Sequence, residues 1–232
     1  MTFLSLTLPV HNEETIIEKV LKEIIATLND CKISYEILLI ENGSRDNTPE
    51  VVIELARKYK NVYSFVSPKG YGNAVSKGLL KSKGKYVSYM PSDGQIDLTS
   101  FPKLLSEVGK YNLVKIKRTS RENMLRDLTT WTFNHSISIL FGTKLIDING
   151  SPRIFLSNQL PKLKLISKDS FIDAEFLIKI SELNWTIKEI PMKNIERYGG
   201  KSTRSLNTYL EFFRNIFDYK FSSKLNDWRK TL

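Results

Sequence analysis

The sequence predicts an α/β fold: one domain built on a mostly parallel sheet flanked by helices. Three observations carry this expectation. Short apolar runs bounded by polar turns recur in the first half, the pattern of strands covered on both faces. Between them lie segments whose apolar residues repeat at helical spacing. The two kinds alternate, which implies parallel neighbours joined by right-handed crossovers. With 232 residues and 41% hydrophobic composition the chain can bury one full core, and no Pro/Gly/Ser-rich linker divides it. We expect a domain over residues 1–205 and an amphipathic helical appendage over 206–232.

The first strand is read at Phe3 to Val10 and the second at Tyr35 to Asn42. Ile17, Val20, Leu21, Ile24, Ile25 and Leu28 place a helix over Thr15 to Leu28, with Asn12 as a candidate cap and Glu13 and Glu14 near its positive end. Thr48-Pro49-Glu50 opens a second helix whose buried side is Val51, Val52, Leu55, Ala56 and Tyr59. Val62 to Val66 reads as a strand. Asn73 to Lys83 reads as a helix opening after Gly70 and Gly72, and Lys85 to Met90 as the next strand. A helix near Thr99 to Val108, a strand at Asn112 to Lys117 and a long helical stretch from Arg121 to Phe141 follow. Phe171 to Leu183 is then helical, and Trp185 to Met192 extended. In Asn207 to Tyr219, Leu210, Phe213, Ile216 and Phe217 share a helical face, suited to core packing or, with Arg214, Lys220, Lys224, Arg229 and Lys230 nearby, to a lipid interface.

Lys and Arg number 35 against 25 Asp and Glu, a net charge of +10 that favours anionic partners: phosphorylated substrates, anionic lipid or nucleic acid. The basic residues are dispersed and form no known nucleic-acid motif, so nucleic acid is not the expected partner. A lone cysteine, Cys31, builds no disulfide framework and fits a reducing, cytoplasmic setting. The opening MTFLSLTLPVHNEE lacks the basic start of a signal peptide, and no apolar run reaches the roughly 18 residues that span a bilayer. We expect peripheral association with the inner face of the membrane.

In an open parallel sheet the ligand lies beyond the carboxyl ends of the strands. The loops there are unusually polar: Pro9, His11, Asn12 and Glu13 after the first strand, Glu41 to Asp46 after the second, and Ser92, Asp93, Gly94, Gln95 and Asp97 after the fourth. Each residue alone could cap or turn the chain. Three such loops at one end, with the basic glycine loop Lys69 to Asn73 opening a helix, point to a nucleotide site.

These segments resemble inverting glycosyltransferase family two, within it the branch acting on dolichol and polyprenyl phosphates, which has the GT-A fold. LPVHNEE resembles its P-x-x-N-E element, IENGSRDNT its D-D-G-S-x-D-x-T element, and KGYGNAVSKGL its glycine loop. MPSDGQID resembles the D-x-D-x-Q metal segment, DINGSPRIF (Asp147 to Phe155) the D-x-x-x-G-F-R-x-F stretch, and IKEIPMKNIERYGGKS (Ile187 to Ser202) E-V-P followed by R-x-x-G-x-S. The matches keep family order.

The resemblance implies that Pro9, Asn12, Glu13, Glu41, Asn42 and Gly43 line the base and ribose, and that Lys69 and Gly72 approach the ribose-phosphate region. Asp93 with Gln95 would address Mg²⁺ or Mn²⁺ on the donor diphosphate, since hard cations take oxygen ligands. Pro91 stands where the family has the first aspartate, which weakens the metal site, and Pro152 replaces the family's aromatic. Arg118, Arg126, Arg153, Arg197, Lys201 and Ser202 fall in segments assigned to the acceptor or diphosphate, where a guanidinium binds phosphate bidentately. Arg197 precedes a glycine-rich segment suited to closing over the diphosphate.

The implied reaction moves a sugar from a donor such as GDP-mannose or UDP-glucose to a lipid phosphate with inversion, and a phosphate oxygen already ionised near pH 7 needs no strong base. A sugar-hydroxyl acceptor would need one, with Asp173 or Glu175 as candidates. Alternatives are a nucleotide-sugar-binding homologue without turnover and a sugar nucleotidyltransferase, whose glycine-rich signature after the first strand is missing from LPVHNEE. A separate membrane partner or a homo-oligomer is compatible with either transferase reading.

Overall fold

The computed structural model describes residues 1–119, 132, 135–143, 147–192 and 206–232, and the side chains of 206–212 are outside the description. The alternation read from the sequence appears as β1 (Leu4–Val10), α1 (Ile17–Asp30), β2 (Tyr35–Glu41), α2 (Thr48–Lys58), β3 (Val62–Val66), α3 (Tyr71–Lys81) and β4 (Tyr86–Tyr89). Then come α4 (Phe101–Glu107), β5 (Leu113–Arg118), β6 (Arg153–Leu156), α5 (Leu160–Leu163), α6 (Ile172–Glu182), β7 (Ile187–Met192), α7 (Leu206–Phe221) and α8 (Lys224–Arg229). Of the long helix read from Arg121 to Phe141, residues 135–141 are helical and most of the remainder lies outside the described residues.

The strands form one seven-stranded sheet in the order β3-β2-β1-β4-β6-β5-β7, in which β6 alone runs antiparallel to its neighbours. The sequence reading assigned no element to the DINGSPRIF segment; its last residues insert as this strand, between β4 and β5. The chain leaves β1 towards β3 and returns to lay β4 on the other side of β1. That reversal opens a crevice at the carboxyl ends of β1 and β4, where such sheets take ligands.

Alternation along β1 divides the core. Leu4, Leu6, Leu8 and Val10 pack with Ile17, Val20, Leu21 and Ile24 of α1 on one face. On the other face Thr7 meets α3 at Gly78, where a Cβ would come within 2.2 Å of the threonine methyl. This close approach of helix to sheet requires glycine. The rest of that face buries Val87, Phe155, Phe171, Phe176, Ile216, Tyr219, Leu225 and Trp228 in a second cluster. The C-terminal helices therefore belong to the core. Ile216 is fully buried while Phe217, grouped with it on periodicity, is 53% exposed.

One expectation for α1 is corrected. Asn12 does not cap it: the helix begins at Ile17 with no side-chain cap, and Asn12 takes a left-handed φ of 54° in the loop before it.

Candidate functional site

The loops after β1 and β2 are laced together at the crevice. Arg45 N donates to Asn12 Oδ1 at 2.7 Å, and Asn12 N donates to Ser44 Oγ at 3.0 Å. Glu13 N donates to Thr48 Oγ1 at 2.8 Å, and Asn47 N to a Glu14 carboxylate oxygen at 2.8 Å. Asn42 Nδ2 donates to Val10 O at 2.9 Å, and Glu41 Oε1 accepts from Ser44 N at 2.6 Å. The polar side chains near the edge of β1 thus fix both loops, as buried and half-buried backbone groups require.

The β4 loop joins the same network. Ser92, 2% exposed, sets its hydroxyl between Pro9 O at 2.7 Å and the Glu13 carboxylate. Asp93 and Gln95 follow, both half-buried, with Gln95 N donating to Asp93 Oδ1 at 3.2 Å. Asp97 is engaged in capping the next turn through Thr99 N at 3.0 Å and Thr99 Oγ1 at 2.6 Å. Pro91 lines a shallow hollow with Val20, Ile24, Met90 and Ile96, on the α1 side of the loop. Among the described residues no group of three or more His, Cys, Asp or Glu is arranged for a metal.

The glycine loop borders the β2 loop. Gly43, at φ 80°, leaves room for the Lys69 stem, whose Cβ lies 3.1 Å from where a Gly43 Cβ would be. Gly70 and Gly72 face protein: Cβ atoms there would lie 2.4 Å from Lys168 O and 2.3 Å from Ser167 O. Their freedom lets residues 167–169 press onto the start of α3, with Asn73 N donating to Lys168 O at 3.1 Å.

On the far side of β4 the structure gathers buried charge. Arg153, fully buried, donates Nε to Gly150 O at 3.1 Å and Nη2 to Ile148 O, while Nη1 meets both Tyr89 Oη and Asp173 Oδ1. Tyr89 Oη also donates to Asp173 Oδ1 at 3.2 Å. Burial alone would weaken the guanidinium's hold on its proton, and the Asp173 carboxylate more than reverses this. Burial pushes the Tyr89 phenol well above its ordinary range. Glu175, two residues on, accepts from Ile166 N at 3.0 Å and Ser167 N at 2.8 Å and pairs with buried Lys179 at 2.6 Å, so it braces the fold.

Arg118, at the end of β5, grips Asp147. Burial would raise the Asp147 carboxyl, but the Arg118 hydrogen bonds and charge, helped by Lys115, hold it well below the usual carboxylate range. A carboxyl depressed in the folded state stabilises fully above its unfolded value and ceases to do so as pH falls through the folded one. We therefore expect the thermal midpoint, followed by circular dichroism, to fall below about pH 4, and to fall less steeply in Asp147→Asn.

Arg126, Arg197, Lys201 and Ser202 lie outside the described residues. Sequence reasoning passed over Tyr89, Lys115 and Asp147. A lysine amid the apolar residues of a strand was the available signal for Lys115; Tyr89 looked like any core aromatic.

A crevice of this kind at a sheet reversal, edged by P-x-x-N-E and glycine-loop elements, defines a nucleotide-binding α/β transferase. A family model described as Glycosyl transferase family 2 matches residues 5–159. The chain belongs to that family. A dolichyl-phosphate beta-glucosyltransferase of Trichomonas vaginalis is 33% identical over 225 residues, covering 86% of this chain and 68% of the relative. One of Dictyostelium discoideum is 25% identical, covering 98% of this chain and 76% of the relative. Among solved structures, glucosyl-3-phosphoglycerate synthase from Mycobacterium tuberculosis in complex with Mn²⁺, UDP and phosphoglyceric acid superposes with a TM-score of 0.71 at 18% identity, covering 95% of this chain and 79% of that one. That likeness establishes the fold.

Proposed function

We propose that the protein transfers a hexosyl group, with inversion, from a nucleoside-diphosphate sugar to a polyprenyl phosphate at a membrane surface. The observation that carries this reading is the 33% identity, over 86% of the chain, with a dolichyl-phosphate beta-glucosyltransferase. The polar loops at the β1/β4 crevice and Arg118 at the end of β5 support the two binding sites such a reaction needs.

In this reading Pro9, Asn12, Glu13, Glu41, Asn42 and Gly43 hold the base and ribose, with Lys69 on the phosphate side; Gly72, expected there from the resemblance, is instead covered by the backbone of residues 167–169. Asp93 and Gln95 would hold Mg²⁺ or Mn²⁺. Magnesium keeps several waters and takes one or two protein carboxylates plus substrate phosphates, so a single aspartate fits an ion that arrives with the donor. The ion would offset charge on the departing nucleoside diphosphate. Arg118 receives the acceptor phosphate, aided by Arg126, Arg197, Lys201 and Ser202. A hydroxyl acceptor is less well served: the Asp173 carboxylate that would be its base already takes hydrogen bonds from Arg153 and Tyr89.

No described helix is long and apolar enough to cross a membrane. Phe217 and Phe221, 53% and 73% exposed, stack at 6.2 Å beside Lys220 and Lys224, which supports contact with an anionic lipid face.

The test incubates the protein with radiolabelled UDP-glucose or GDP-mannose and either polyprenyl phosphate or the parent polyprenol. Label should pass only to the phosphate, in a β linkage from the α-linked donor. Transfer to the alcohol or to a saccharide hydroxyl would overturn the reading.

A further inference from the structure

We propose that Asp147 is the positioning residue for acceptor binding, holding the Arg118 guanidinium ready for the lipid phosphate. The proposal rests on the acceptor reading of Arg118 given above. Asp147 is 4% exposed and collects three N–H groups from one arginine: backbone N to Oδ2 at 3.0 Å, Nε to Oδ2 at 3.0 Å and Nη2 to Oδ1 at 2.6 Å. This is a side-on, two-point grip on the Nε–Nη2 edge, with the strand end pinned by the same carboxylate. Among the described residues Nη1 donates to none, which leaves it to take a phosphate, and the Arg118 side chain as a whole keeps 15% exposure.

The backbone of Asp147 is itself held. Lys115 Nζ, on the same strand, donates to Asp147 O at 2.7 Å and to Glu189 Oε1 at 2.9 Å on neighbouring β7. Gly150 N closes the turn onto Asp147 O at 3.2 Å. A Cβ at Gly150 would sit 2.0 Å from Ile116 O and 3.1 Å from Asp147 Oδ2, so only glycine lets the turn lie this close to β5. Arg153 holds the same turn through Ile148 O and Gly150 O. Two cationic side chains, Lys115 and Arg153, thus fix the segment that bears one carboxylate, and that carboxylate fixes Arg118.

A long side chain waiting for a phosphate would otherwise lose rotamer freedom on every binding event; ordering it beforehand removes that loss. A phosphate that meets an already aimed guanidinium binds more tightly, whereas the lipid tail, which Arg118 does not address, is unaffected.

The experiment compares binding of a short polyprenyl phosphate and of the matching polyprenol, in the same detergent, to the wild type, Asp147→Asn, Arg118→Ala and the double variant. The preference for phosphate should fall about tenfold in Asp147→Asn, with polyprenol affinity unchanged and no further fall in the double variant beyond Arg118→Ala alone. Should Asp147→Asn not fold, Asp147→Glu keeps the charge but displaces it, and a smaller fall is expected. A wild-type preference in the Asp147 variant, or losses that multiply in the double variant, overturns the proposal while the reading of Arg118 stands. A wild-type preference in Arg118→Ala overturns both.

Discussion

Asp93→Ala should lose the metal-assisted part of donor binding and about 10²- to 10³-fold in turnover, the scale of removing a principal electrostatic contact to a leaving group. Asp93 is a half-buried carboxylate in the β4 loop at the sheet reversal, and Pro91 offers no second ligand two residues before it. Families with two aspartates in this segment can share the load between them; here the loss should fall on one residue. Calorimetry with UDP and GDP, with and without Mn²⁺, reads the effect directly. The wild type should bind one nucleotide more tightly with the ion, and the variant should bind it equally with and without. Metal-assisted binding that survives in Asp93→Ala would move the ion to other ligands. The variant gives up the Gln95 N contact to Asp93 Oδ1 but keeps the buried Ser92 contacts to Pro9 and Glu13 that hold the loop, and circular dichroism should show the fold retained.

Arg153→Met should cost about 3–5 kcal/mol in chemical denaturation, the penalty for breaking a buried pair from one side. The substitution keeps an unbranched side chain but leaves Asp173, Tyr89, Ile148 O and Gly150 O without their shared donor. The guanidinium also lies over the Tyr89 and Phe176 rings, with its carbon 5.1 and 5.7 Å from their centroids. A direct phosphate ligand at the surface would behave in the opposite way, with stability retained and acceptor affinity lost. The two outcomes separate the buried brace seen in the structure from the phosphate contact expected of Arg153 on resemblance.

The double role of charge explains why the crevice loops could be placed from the sequence and the buried arginine could not. Asn12, Glu13, Glu41 and Asn42 stand out because polar residues at the ends of apolar strands have few purposes, and the parallel order places those ends together. Arg118 and Arg153 are chemically alike in the sequence, and nothing local separates one that stays partly exposed at a strand end from one sealed in the core. The difference arises because the DINGSPRIF segment inserts as β6, antiparallel between β4 and β5. Its short apolar stretch, Ile154 to Leu156, carries too little periodicity to declare a strand.

The sequence by itself determined the alternating α/β architecture, the crevice loops and the family, because strand and helix periodicities and motif spacing are local properties of the chain. Only the tertiary structure decided that Gly70 and Gly72 receive the backbone of residues 167–169 and that Asp147 clasps Arg118 across 29 residues. Those are long-range contacts, chosen by which buried polar groups can satisfy one another once the sheet has assembled, and no spacing along the chain encodes them.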